Sequence, residues 1–120
     1  MTLPDSLFVY RDAWNAVDTA AVRGLLERSI TPDCEFIDPA HVCRGIDEIE
    51  AMILEFRVTF PTGTYLLASG IDGHNGRYRY RWIAQLSEDI AVDGMDVTTV
   101  AANGLLERID GFFGDFAPVS

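Results

Sequence analysis

Residues 77–82 read Arg-Tyr-Arg-Tyr-Arg-Trp, and this alternation limits the possible folds more than any other feature. Side chains along a strand point alternately to two faces, so Arg77, Arg79 and Arg81 share one face and Tyr78, Tyr80 and Trp82 the other. A helix would mix the two kinds around its surface. The segment is therefore a strand whose aromatic face must be covered and whose arginine face is wet or ion-paired. The aromatics either line a pocket or fill a core. The arginines are either solvated or meet acids across an interface between copies.

The chain's first half supplies the cover. Leu7, Tyr10, Trp14 and Val17 recur at three and four residues, a helical stripe, behind a Thr2-x-x-Asp5 start with Pro4 in the first turn. Asp18 caps a second helix whose stripe is Val22, Leu25, Leu26, Ser29 and Ile30, stopped by Thr31-Pro32. A third opens after Gly45 with Asp47, Glu48 and Glu50, where the helix dipole favours acids. It buries Ile46, Ile49, Ile53, Phe56 and Phe60 and ends at Pro61. Between the second and third lie a short strand, 34–37, and a further short strand or turn, 41–44.

The remainder reads as β: 64–71, a DGHNG hairpin at 72–76, the alternating strand, 90–101, a turn at 102–104 and 105–113. Helices and strands are segregated, so the fold class is α+β. Three helices against one strongly curved, mostly antiparallel sheet enclose a cone, and cavities of that kind hold small apolar molecules. A length of 120 residues suits one domain spanning 1–120.

Nine Lys+Arg against nineteen Asp+Glu give a net charge of −10, which excludes a nucleic-acid or anionic-membrane footprint. No apolar run approaches a membrane span, and the N-terminus has no basic region and reaches Asp12 too soon for a signal peptide. A soluble cytoplasmic protein is expected. Cys34 and Cys43 make no disulfide framework and are expected as reduced, buried residues, although a bridge between neighbouring strands is a second option. No HxH, HExxH, GxSxG or phosphate-binding glycine loop occurs, so neither metal nor cofactor is expected. A Cys43–His41 nucleophile lacks support beyond their spacing. His74 is expected in an exposed turn.

Three side chains remain as chemical candidates. Asp38 ends an apolar run and precedes Pro39, so it is either a turn acid or a base aimed into a cavity. Asp96 shares a strand face with Val92, Gly94, Thr98 and Val100; apolar surroundings would hold its proton, and a twist opening there would leave it wet. Tyr10 lies on the apolar stripe of the first helix, where a core tyrosine is the ordinary reading.

The element order, together with YRDAWNAVD (10–18), FIDP (36–39), GMD (94–96) and the closing IDGFFG (109–114), resembles the NTF2-like superfamily and, more narrowly, its SnoaL-like and ketosteroid-isomerase-like proteins. The resemblance covers nearly the whole chain. It implies Asp38 as a base that moves a proton alpha to a ketone, with Tyr10 and a protonated Asp96 donating to the enolate oxygen. It implies a pocket of Trp14, Phe56, Tyr78, Tyr80 and Trp82, with Ile109 and Phe113 from the closing strand and His41 at the mouth. It also implies a homodimer through the sheet. Gly94 replaces the arginine that epoxide hydrolases of the superfamily carry there. The expected activity is that of an isomerase or polyketide cyclase on a small-molecule ketone. The alternative is a binding module that holds an apolar ligand without chemistry. A third reading is an interaction protein working through Arg77, Arg79, Arg81, Met95 and Val97.

Overall fold

A computed structural model describes residues 2–120. Its first helix, α1 (Asp5–Asn15), buries Leu7, Tyr10 and Trp14 as the stripe predicts. Two details differ from that reading. Pro4 stands in the cap position and no side chain caps the helix, so the Thr2 box is not formed; Val17 is exposed beyond the helix end. Asp18 does cap, accepting from the Ala20 N–H at 3.1 Å, but the segment it opens is a 3₁₀ turn that runs into a short α2 (Val22–Glu27).

Helix α2 stops sooner than its apolar stripe suggests. The Ser29 hydroxyl donates to the Leu25 carbonyl at 2.8 Å, and the Ser29 carbonyl accepts from Leu106 N–H. Ile30 therefore begins strand β1 (Ile30–Asp38), with Pro32 in an irregular stretch where the pairing register shifts. A proline lacks the donor a regular ladder needs and is at home in such a place. Strand β2 (His41–Arg44) returns antiparallel to β1, and α3 (Ile46–Thr59) follows.

The predicted strand 64–71 is two strands, β3 (Thr64–Leu67) and β4 (Asp72–His74), both paired to β5 (Arg77–Gln85). Between them the Ser69 hydroxyl accepts from Arg81 N–H at 2.8 Å, so a side chain replaces the missing ladder bond. Strands β6 (Ala91–Val100) and β7 (Leu106–Phe113) complete a sheet of order β2-β1-β7-β6-β5-β3. All neighbours are antiparallel except β1 and β7.

The sheet curls around the helices. Leu26, Ile30, Ile49, Ile53, Leu106 and Ile109 are fully buried between the layers. On α3 the buried positions are Ile49, Met52, Ile53 and Arg57, while Phe56 is only partly covered. Arg57 was expected on no apolar face. It is buried because its guanidinium donates to the carbonyls of Pro61, Gly63 and Trp14 at 3.1, 2.8 and 2.8 Å, fastening the end of α3 to the end of α1. Both cysteines are buried and free. No helix among the described residues is long and apolar enough to cross a membrane.

Candidate active site

The helices do not fill the cone. A cavity of about 220 Å³ opens between them and the curved sheet. From α1 it takes Leu7, Tyr10, Arg11 and Trp14, and from α3 Met52 and Phe56. The sheet contributes Asp38, Tyr65, Tyr80, Trp82, Asp96 and Phe113, among others. Aromatic rings make a continuous wall: Trp14 meets Tyr65 at 5.0 Å, Tyr65 meets Trp82 at 5.5 Å, and Trp82 meets Phe113 at 6.2 Å. These contacts are tilted or edge-on, as ring quadrupoles prefer.

Cross-strand register explains which residues reach the cavity. One row runs Phe36, Ile109, Thr98, Tyr78 across β1, β7, β6 and β5. It lies at the closed end, where Ile109 and Thr98 are fully buried. Two residues along each strand, Asp96 faces Gly111 on one side and Tyr80 on the other. Asp38 reaches the same row from β1. A methyl group at Gly111 would lie 3.1 Å from Asp38 Cβ and 3.3 Å from Asp96 Oδ1. The two carboxyl groups thus flank one bare backbone position, with no side chain between them.

Asp38 makes the turn its sequence context allowed, and its side chain also lines the cavity. Its Oδ1 accepts from the backbone N–H groups of Ala40 and His41 at 2.8 and 2.7 Å, a turn that carries the chain from β1 to β2. His41 Nδ1 lies 3.1 Å from the same oxygen. Among the described residues no hydrogen bond reaches Oδ2, and the side chain lines the cavity with 10% exposure. One oxygen is anchored and the other is available.

Asp96 sits differently. Its Oδ1 accepts from Trp82 Nε1 at 3.0 Å and its Oδ2 from the Tyr80 hydroxyl at 3.2 Å. Burial raises its pKa from 3.8 to about 6; the two donors oppose that rise, and the charge on Asp38 adds to it. Indole can only donate, whereas the Tyr80 hydroxyl can turn to accept, so a proton on Asp96 finds an acceptor from Oδ2. Tyr10 lines the cavity with its hydroxyl buried; the Trp14 indole can only donate to that oxygen, and no acceptor for its proton stands among the described residues. Burial, and then the charge of Asp96, push its pKa well above 10.

Solved structures resemble this arrangement over most of the chain. A candidate isomerase of the SnoaL-like family from Agrobacterium tumefaciens superposes with a TM-score of 0.84 and 28% identity, covering 92% of this chain and 95% of that one. A candidate SnoaL-like polyketide cyclase from Jannaschia sp. CCS1 gives 0.72 and 13% identity, covering 91% and 85%. TerC, co-crystallised with polyporic acid, gives 0.73 and 11% identity, covering 92% and 89%. No protein-family model matches the sequence, and no curated protein does. The fold is NTF2-like, and the chain is similar over most of its length to a candidate isomerase of the SnoaL-like family.

The cavity brings together Tyr10, Asp38 and Asp96, and with them Trp14, His41, Phe56, Tyr80, Trp82 and Phe113. Two expected lining residues are absent from it. Tyr78 and Ile109 belong to the row at the closed end, where core packing covers the inner face. His41 turns to Asp38 rather than to Cys43, whose thiol is buried on Met52 Sδ at 3.8 Å with its pKa raised by burial. Arg11 and Tyr65 also line the cavity, although the sequence did not single them out. Leu7, Arg11 and Trp14 fall at i, i+4 and i+7, so helical spacing already carried the signal for Arg11.

Proposed function

We propose that this chain is an enzyme that moves a proton at the carbon alpha to a carbonyl of a small cyclic ketone held in the cone. The observation that carries the reading is Tyr10, whose buried hydroxyl lacks an acceptor and which lines the same cavity as a carboxylate whose Oδ2 is unengaged among the described residues. Leaving a buried hydroxyl unpaired is costly, and a substrate carbonyl oxygen is the acceptor it lacks.

In this reading Asp38 Oδ2 takes the proton, while its anchored Oδ1 keeps the carboxylate aimed. Negative charge develops on the carbonyl oxygen, and Tyr10 donates to it. Asp96 assists in its neutral form through the proton on Oδ2. With a pKa of about 6, that form is a minority at neutral pH, so turnover falls as pH rises through 6. Returning the proton elsewhere on the conjugated system gives isomerisation; letting the enolate attack a second carbonyl gives cyclisation. The cavity, at about 220 Å³, lies below the roughly 300–1,000 Å³ of common ligand pockets. That favours one or two rings over the four of a steroid.

The test offers β,γ-unsaturated ketones of one, two and four rings and follows conjugation by absorbance. The one- and two-ring compounds are expected to turn over, with a loss of about 100- to 10,000-fold in Asp38→Asn. Equal rates in wild type and Asp38→Asn would refute the assignment. The aromatic wall also supports the second reading, a non-catalytic binding module, and a co-purified ligand recovered unchanged after long incubation would favour it. We further infer that copies pair through the outer sheet face, where Ile83 and Phe112 are exposed; strictly monomeric sedimentation would sink this.

A further inference from the structure

Among the described residues, Arg11 is the one guanidinium that lines the cavity. The nine basic residues of the chain are all arginines, and most have evident partners. Arg23, Arg44, Arg79, Arg81 and Arg108 meet carboxylates. Arg57 is engaged by carbonyls and Arg77 by the Asn75 carbonyl at 2.8 Å. Arg28 has no partner among the described residues, but it is exposed and outside the cavity. Arg11 is partly buried, and among the described residues no hydrogen bond or ion pair reaches it; it only stacks over the Phe8 ring at 5.7 Å.

In a chain of net charge −10, a partly buried arginine without a carboxylate is conspicuous. Acids are abundant and none has been placed against it. Five donors in a planar fork stay unused beside an apolar cavity. A neutral ketone would gain little from such a group. A ligand carboxylate would gain a bidentate partner, and would need one, because Asp38 and Asp96 on the same cavity repel it.

We propose that Arg11 binds an anionic group of the ligand, so that the cavity selects small cyclic or aromatic carboxylates over their neutral counterparts. Resting on the proton-transfer reading, this makes the substrate a keto acid, its carboxylate at Arg11 and its reacting carbon toward Asp38. Tyr10 and Arg11 are neighbours on α1, so one helix would hold both the carbonyl oxygen and the carboxylate.

The experiment uses 2-naphthoate and 2-naphthamide, which match in shape and differ in charge. Binding is followed by the fluorescence of Trp14 and Trp82, both on the cavity wall. Wild type is expected to prefer naphthoate by about tenfold, the scale of one charge-assisted contact. Arg11→Leu is expected to weaken naphthoate to the level of naphthamide or below it, since Asp38 and Asp96 still repel a carboxylate, and to leave naphthamide unchanged; Arg11→Lys is expected to keep part of the preference. Equal binding of the two probes by wild type, a preference that survives in Arg11→Leu, or no binding of either would each overturn the proposal. The readout needs no turnover, and Asp38→Asn, which removes one repelling charge, is expected to keep or increase the preference. A failure here is therefore distinct from a failure of Asp38 as base.

Discussion

The most informative single perturbation is Asp96→Asn, because it removes one charge and little else. The amide oxygen can still accept from Trp82 Nε1, and the amide nitrogen can donate to the Tyr80 hydroxyl, which accepts as well as donates. The pKa of Asp96 rises from 3.8 to about 6 in the folded state, chiefly through burial, so the folded chain binds this proton more tightly than the unfolded chain does. Asp96 therefore favours folding in full below about pH 4, and that contribution is lost as pH rises through 6. The difference between the two pKa values corresponds to about 3 kcal/mol.

Urea unfolding of wild type and Asp96→Asn from pH 4 to 8 reads this directly. The two proteins are expected to be of similar stability near pH 4, with the variant gaining on wild type up to about 3 kcal/mol by pH 8. The paired comparison cancels most of the general self-repulsion of an acidic chain. A difference that stays flat with pH would refute the reasoning. A wild type that gains on the variant as pH rises would refute it more sharply, since it would mean that the Trp82 and Tyr80 donors outweigh burial and hold the carboxyl below its ordinary range.

Three further outcomes follow from the geometry. Tyr10→Phe removes a hydroxyl that lacks an acceptor, so stability should hold or rise by up to about 1 kcal/mol, while turnover drops about 100-fold or more; thermal melts and initial rates check both. Arg57→Leu leaves the carbonyls of Trp14 and Gly63 without their donor and should cost roughly 3 kcal/mol in denaturant unfolding. Gly111→Ala sets a methyl 3.1 Å from Asp38 Cβ; a cost of about 1–3 kcal/mol is expected, together with a shifted Asp96 titration by carbonyl-carbon NMR.

The strand alternation at 77–82 was legible because period two is a local property. It assigned Tyr80 and Trp82 to the inner face, but it could not separate them from Tyr78. That distinction depends on where the helices stop covering the sheet, which is a property of the assembled layers. The end of α2 was misread for a similar reason. Ser29 and Ile30 continue the helical stripe, yet Ile30 is recruited by Leu106, far away in sequence. The break after Leu67 went unseen because a serine hydroxyl stands in for a ladder bond. Arg57 shows the limit of reading burial from residue type: carbonyls freed at a helix end drew a charge into the core.

The candidate site was legible in its residue types, through the resemblance, and not in its protonation. Asp38 and Asp96 are the same residue in the same cavity, and the strand face of Asp96 left open whether it would be buried or wet. Their partners distinguish them. Asp38 spends one oxygen on a turn whose donors lie two and three residues ahead, a local pattern any Asp-Pro-x-x segment can form. Asp96 is satisfied from β5, 14 and 16 residues back in the chain, and its desolvation comes from a cavity that exists only when α1 and α3 are in place. Gly111 then decides how strongly the two carboxyl groups interact, because any side chain there would wedge them apart. The proposed division into an acid and a base requires that asymmetry, and its sources are one local turn, one long-range pair of donors and one missing side chain.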